Sequence, residues 1–81
     1  MIYIYVIKSL IKNYKYVGIT NDLEKRFKEH NSGHSKATKP FLPFKTIHTE
    51  LYNTYTEARV REKFLKSGVG RKFLNSLECN N

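Results

Sequence analysis

One cysteine, two prolines and four glycines are all that these 81 residues contain of those types. A lone cysteine, Cys79, cannot close an internal disulfide, so a reducing compartment is the natural setting. Its place near the end reads as a bystander in a tail that frays from about residue 77. Sparse Pro and Gly, with 40% hydrophobic and 14% aromatic residues, argue against a disordered chain. Long apolar runs are missing too. The opening stretch, Ile2 to Ile7, has no cationic segment before it and is too short to span a bilayer. The expectation is a soluble, cytoplasmic protein with no membrane partner. No paired-cysteine spacing and no His-x-x-x-His occur, which argues against zinc. No glycine-rich phosphate cradle occurs, which argues against a nucleotide cofactor of the P-loop kind. The length suits one small domain, residues 1–81, burying only about 60% of its unfolded surface.

Acidic residues are the remaining scarcity: seven, against fifteen Lys and Arg, for a net charge of +8. Nucleic acid is the first partner such a field suggests, because each phosphate contact releases counterions. An anionic membrane surface and plain solubilising charge are the competing readings.

Against that background the patterning is clear. Ile2, Ile4 and Val6 alternate with Tyr3, Tyr5 and Ile7, which predicts a strand apolar on both faces. Lys8 to Lys15 is polar, with Asn13 as a turn residue. Tyr14, Tyr16 and Gly18 alternate with Lys15, Val17 and Ile19 in a second strand. The pair predicts an antiparallel hairpin that can bring Tyr5 and Tyr16 onto one face, without fixing which residues pair across it. Asn21 with Glu24 resembles a capping box opening a helix that runs to about His30. Leu23, Phe27 and His30 share its inner side, and Asn31-Ser32-Gly33 stops it. A basic loop, His34 to Pro43, precedes a third strand, Phe44 to Tyr52, with Phe44, Thr46 and His48 alternating against Lys45, Ile47 and Thr49. Thr54 with Glu57 caps a helix from about Tyr55 to Lys66. Gly68 ends it, and a short helix spans roughly Val69 to Leu77. The order β-β-α-β-α-α predicts an α+β fold: a small three-stranded antiparallel sheet flanked by helices.

Two features point to chemistry. Repeated tyrosines on matched strands are poor simple core, because a buried hydroxyl needs a partner. Glu62 falls within about 40° of Ala58 on the apolar wheel that Tyr55, Ala58 and Leu65 form. A carboxylate there is costly unless paired, with Lys66 for example, or bound to metal. Arg26, at the edge of the first helix's apolar side, can pair with Glu62 or stabilise charge on a phosphoryl group. His30, one turn later, is either a packing histidine or a second member of the same site. A single carboxylate suits Mg²⁺ or Mn²⁺, one divalent ion taking its other ligands from phosphate and water.

Tyr3-Ile4-Tyr5, Tyr16-Val17-Gly18, the run from Gly18 to Leu23, Arg26, the run His30 to Gly33, and the helix bearing Ala58, Arg61-Glu62 and Leu65-Lys66 together resemble the GIY-YIG nuclease superfamily. The likeness is to small stand-alone members similar to the N-terminal domain of the UvrC excinuclease subunit. It spans Ile2 to about Leu74. One departure is Tyr3, where the first motif usually has glycine. The resemblance implies a metal-dependent endonuclease that hydrolyses DNA phosphodiester bonds. It implies that Tyr5 and Tyr16 line the active site, one of them assisting the attacking water. Arg26 would be the catalytic arginine, His30 an assisting residue, Glu62 the metal-binding glutamate and Asn75 a late polar residue of the site. A tyrosine acting as base needs its pKa lowered from about 10, and cations nearby push that way.

The phosphate-facing surface is read as the basic loop from His34 to Lys45, including Lys36, Thr38 and Lys39, together with Arg59, Lys63, Lys66, Arg71 and Lys72. Gly18 is read as a place where substrate backbone comes close. The alternatives are a non-catalytic DNA- or RNA-binding module on the same fold and a basic domain docking on an acidic protein. No DNA-recognition module is evident, so structure rather than sequence would be read, or a further DNA-targeting protein partner would direct the chain.

Overall fold

The computed structural model describes residues 1–79, and of Glu78 and Cys79 only the backbone. The part played by the Cys79 side chain and the state of Asn80 and Asn81 therefore lie outside the described residues. Strands β1 (Ile2–Ser9), β2 (Lys15–Thr20) and β3 (Phe44–Tyr52) alternate with helices α1 (Leu23–Asn31), α2 (Tyr55–Leu65) and α3 (Gly68–Cys79) in the expected order β-β-α-β-α-α. The sheet order is β2-β1-β3 and both pairings are antiparallel. The last helix starts at Gly68, which was expected to end its predecessor, and it reaches two residues past Leu77. Among the described residues, no helix is long and apolar enough to cross a membrane.

β1 is central, so its two faces are both covered. Ile2, Ile4 and Val6 pack with Val17, Ala58, Leu65 and Leu74 beneath α2 and α3. Tyr5 and Ile7 pack on the other face with Phe44, against Leu23 and Phe27 of α1 and Phe41 and Leu42 of the loop. Ile4, Val6, Ile7 and Leu65 have no exposed surface, and each such side chain contributes about 1.5–3 kcal/mol. The alternation read from the sequence thus carries two cores, one per face.

Three local readings change. Asp22, not Asn21, caps α1: its Oδ1 accepts from Lys25 N at 3.1 Å. Thr20 Oγ1 holds the Asp22 amide at 3.1 Å, which fixes that register. The loop before β3 contains a 3₁₀ turn, Lys39–Phe41. Ile47 is a bulge, since Val6 faces His48 while Ile7 faces Thr46. Strict alternation would put Phe44 and His48 on one face. The extra residue sends Phe44 to the α1 side and leaves His48, Glu50 and Tyr52 opposite Val6, Ile4 and Ile2. The expected stop of α1 holds: Gly33, at φ 82°, takes the left-handed conformation glycine favours.

The bulge creates a cluster that periodicity alone does not show. Arg61 donates from Nε to Glu50 Oε1 at 2.9 Å and from Nη2 to Oε2 at 3.0 Å. His48 Nε2 lies 2.7 Å from Oε2, and the Tyr52 hydroxyl donates to Oε1. Burial raises the Glu50 pKa, but these hydrogen bonds and the Arg61 charge outweigh it and hold it at about 2. The carboxyl therefore binds its proton more tightly in the unfolded chain. Its stabilisation is complete above about pH 4.5 and is lost as pH falls toward 2. Urea titrations across that window are expected to lose on the order of 2–3 kcal/mol, and Glu50→Gln to flatten the loss. An unchanged pH profile in Glu50→Gln would rule the assignment out.

Candidate active site

The β1–β2 register sets Tyr5 opposite Gly18 and Ile7 opposite Tyr16. Tyr5 and Tyr16 are thus diagonal neighbours on the α1 face, with ring centroids 6.1 Å apart. A Cβ on Gly18 would overlap the Tyr5 hydroxyl and Cζ and lie 2.8 Å from Cε1. The glycine therefore makes room for the Tyr5 ring. It was expected to admit substrate backbone, but the ring already fills that space.

Crossing Gly18 brings the Tyr5 hydroxyl to α1. Arg26 Nε donates to it at 3.3 Å, and His30 Nε2 lies 2.9 Å from it. Tyr16 leans over the same imidazole, with ring centroids 5.0 Å apart. Arg26 and His30 sit one helical turn apart, which is why both reach one oxygen. His30 is fully buried and Tyr5 is 3% exposed, whereas Tyr16 and Arg26 are half-buried. Arg26 was expected to pair with Glu62 or a phosphate. Here Glu29, 3.6 Å from Nη1, is its carboxylate neighbour.

Burial pushes the Tyr5 pKa up to about 12, although the Arg26 hydrogen bond and charge pull it down. The lowering expected from nearby cations is present but loses to desolvation. Burial, aided by the Arg26 charge, lowers the His30 pKa, and Glu29 opposes. At neutral pH the pair rests as a neutral phenol beside a neutral imidazole.

Behind that imidazole lies Thr38, completely buried. Its Oγ1 is 2.9 Å from His30 Nδ1 and 3.4 Å from the Ser35 carbonyl. Thr38 was expected to face nucleic acid; buried against His30, it cannot. Lys36 and Lys39, flanking it, are exposed. Sequence reasoning missed this inward threonine because it sits in a loop without periodicity.

A cleft of about 550 Å³ opens between the β2 edge and the α2–α3 junction. Tyr16, Lys66, Arg71 and Asn75 line it, with Lys15. Lys15 Nζ donates to Asn75 Oδ1 at 2.8 Å, tying α3 to β2. Lys72 is exposed on the same helix. Tyr16 is the residue common to the cleft and to the Tyr5–His30–Arg26 cluster.

Glu62 stands on α2 one turn before Lys66. Its side chain is 25% exposed, with Oε2 3.3 Å from Lys66 Nζ. Tyr55, expected on the same apolar face, is 48% exposed. The i,i+4 partner answers the cost of a carboxylate near the apolar stripe. Such a pair is worth only about 0.3–0.5 kcal/mol, so a divalent cation can displace it. Among the described residues, no three His, Cys, Asp or Glu side chains converge. Glu62 does not line the cleft itself, but one hard oxygen donor beside its Lys66 still fits an ion like Mg²⁺, which keeps most of its ligands as water and phosphate.

Residues 1–75 match the GIY-YIG catalytic domain family model. A UPF0213 protein of Clostridium perfringens is 39% identical over 67 residues, 82% of this chain and 71% of that protein. One from Staphylococcus saprophyticus is 36% identical over 73 residues, covering 89% of this chain and 88% of the relative. Among solved structures, the solution NMR structure of a UPF0213 protein from Bacillus halodurans aligns with a TM-score of 0.56 at 31% identity. That alignment covers 95% of this chain and 85% of the other.

Proposed function

Because the chain belongs to the GIY-YIG catalytic domain family, a nuclease family, we propose that it is an endonuclease hydrolysing DNA phosphodiester bonds with the help of one divalent ion, Mg²⁺ or Mn²⁺. The observation that carries this reading is the meeting of Tyr5, Arg26 and His30 at one oxygen, with Tyr16 joining them to a cationic cleft.

Phosphodiester hydrolysis needs a water made nucleophilic, a cation at the phosphate and relief at the leaving oxygen. Arg26 spends Nε on Tyr5 and keeps other N–H donors for a phosphate oxygen. Lys66 and Arg71 hold the strand in the cleft through its charge. Tyr16 is the accessible tyrosine and is assigned to the attacking water; Tyr5, buried and held at about 12, orients rather than accepts. Asn75, fixed by Lys15, positions the strand at the cleft wall. Glu62 would hold the ion. When bound, such an ion neutralises charge on phosphate oxygens and eases departure of the leaving group. The exposed Lys36, Lys39 and Lys72 extend the phosphate-binding surface.

Supercoiled plasmid incubated with and without Mg²⁺ or Mn²⁺ tests the proposal. Metal-dependent nicking by the wild type, lost in Glu62→Ala with the circular dichroism unchanged, is expected. Salt-sensitive binding without nicking on plasmid, flap and branched DNA would favour a non-catalytic binding module instead.

A further inference from the structure

Hydrogen-bond polarity runs through the Tyr5 cluster in one direction, because both of its ends are chemically one-sided. Arg26 Nε–H can only donate, so the Tyr5 oxygen accepts from it at 3.3 Å. At the other end the Ser35 carbonyl can only accept, so the Thr38 hydroxyl donates to it at 3.4 Å. The Thr38 oxygen is then the acceptor for His30 Nδ1–H at 2.9 Å. With its proton on Nδ1, the neutral imidazole offers a lone pair at Nε2, and the Tyr5 O–H donates into it at 2.9 Å. The opposite tautomer would set the imidazole lone pair at Nδ1 and a second N–H against the Tyr5 oxygen. Thr38 would then have to turn its proton away from the Ser35 carbonyl toward Nδ1. Tyr5, facing N–H donors from both Arg26 and His30, would have to send its own proton elsewhere.

We propose that Thr38 is a positioning residue for the reaction: anchored on the Ser35 carbonyl, it fixes His30 as the Nδ1–H tautomer and so commits the Tyr5 proton inward. The consequence lies at the cleft. With its O–H spent on His30, the Tyr5 oxygen meets the site only through lone pairs. One takes Arg26, and the other is left for a further donor. An exposure of 0% for both Thr38 and His30 makes the arrangement strict, because water cannot replace a missing partner. It also gives the basic loop a second role. Thr38 stands between exposed Lys36 and Lys39, so the segment that meets phosphate also holds the imidazole.

Long-range ¹H–¹⁵N spectra of the His30 ring test this without any activity. Wild type should show a protonated-type Nδ1 and an unprotonated-type Nε2 at neutral pH. Thr38→Val keeps the shape but removes the acceptor, and should shift the ring toward the Nε2–H form. Thr38→Ser should restore the wild-type pattern. In plasmid cleavage, Thr38→Val should lower kcat about tenfold at unchanged KM, the effect of one buried hydrogen bond, with rescue by Thr38→Ser. The rate measurement rests on the nuclease reading; the spectra do not. An inert wild type would remove that reading while the tautomer still decides the present one. An Nε2–H ring in the wild type overturns the proposal, as does an Nδ1–H ring retained in Thr38→Val. Should Thr38→Val fail to fold, Thr38→Ala, which also lacks the hydroxyl, is read against the same two outcomes.

Discussion

Arg26→Ala is expected to reduce DNA cleavage roughly a thousandfold while leaving the fold in place. A cation at the phosphate of a phosphoryl transfer is worth about that much, since it acts where charge grows in the transition state. Arg26 is half-buried in α1, and its carboxylate neighbour, Glu29, is a surface contact at 3.6 Å. Losing such a pair costs little stability. The Tyr5 hydroxyl loses one donor but keeps His30. Arg26→Lys separates charge from geometry: an ammonium keeps the cation but cannot reproduce the planar fork that serves the Tyr5 oxygen and a phosphate together. A partial loss, about ten- to a hundredfold, is expected of that variant. Single-turnover cleavage with excess protein measures both, and thermal unfolding confirms the fold. Cleavage at wild-type rates in Arg26→Ala would remove the arginine from the chemistry.

The regular elements were readable because each rests on local physics. β1 alternates because both faces are buried, α1 stops at a glycine with positive φ, and Thr54 caps α2 by accepting from Glu57 N. The hairpin was readable but its register was not: the pairing of Tyr5 with Gly18 and Ile7 with Tyr16 is what sets the Tyr5–Tyr16 diagonal. What escaped depended on non-local detail. The bulge at Ile47 is one residue of slip, yet it reverses the faces of half a strand and assembles Glu50 with Arg61. His48, Glu50 and Tyr52 at every second position were the available signal, though nothing in the spacing shows that Arg61 meets them.

Charge also misled in the loop. Lys36, Thr38 and Lys39 read as one solvent-facing segment by composition. The structure turns the two lysines out and the threonine in, because His30 Nδ1 needs a partner where water is excluded. Gly18 was singled out for the right property and the wrong occupant. Its missing side chain admits the Tyr5 ring, so the glycine shapes the site from beneath. Glu62 illustrates a limit of another kind. The wheel placed a carboxylate at an apolar face, and the structure supplies Lys66 as its partner. A divalent ion at Glu62 would compete with Lys66 for the same carboxylate, and metal dependence of cleavage separates the two roles.

Two glycines within three residues of Ser67 make a sharp stability contrast. Ser67 starts α3: its Oγ accepts from Gly70 N at 3.3 Å, and its carbonyl accepts from Arg71 N at 2.9 Å. Gly70 is buried where α3 crosses the end of α2. A Cβ there would overlap the Phe64 carbonyl and the Leu65 backbone, with the Leu65 carbonyl carbon 2.7 Å away. The obstacle is backbone, so no side-chain rotation relieves it. Gly68, two residues earlier, has nothing within 4 Å of the same added atom. Gly70→Ala is therefore expected to cost about 3 kcal/mol, the upper part of the overpacking range, and about 12–24 °C in Tm for a domain this size. Gly68→Ala, free of any clash in a helix, is expected to gain about 0.5–1 kcal/mol. The cost reaches the site as well. Arg71, Leu74 and Asn75 follow Gly70 on α3 and form one wall of the cleft, so pushing α3 off α2 moves that wall away from Tyr16. Cleavage by Gly70→Ala should thus fall even at temperatures where it remains folded, whereas Gly68→Ala should cleave as wild type. Equal melting temperatures for the two variants would mean that the helices do not approach so closely at Gly70.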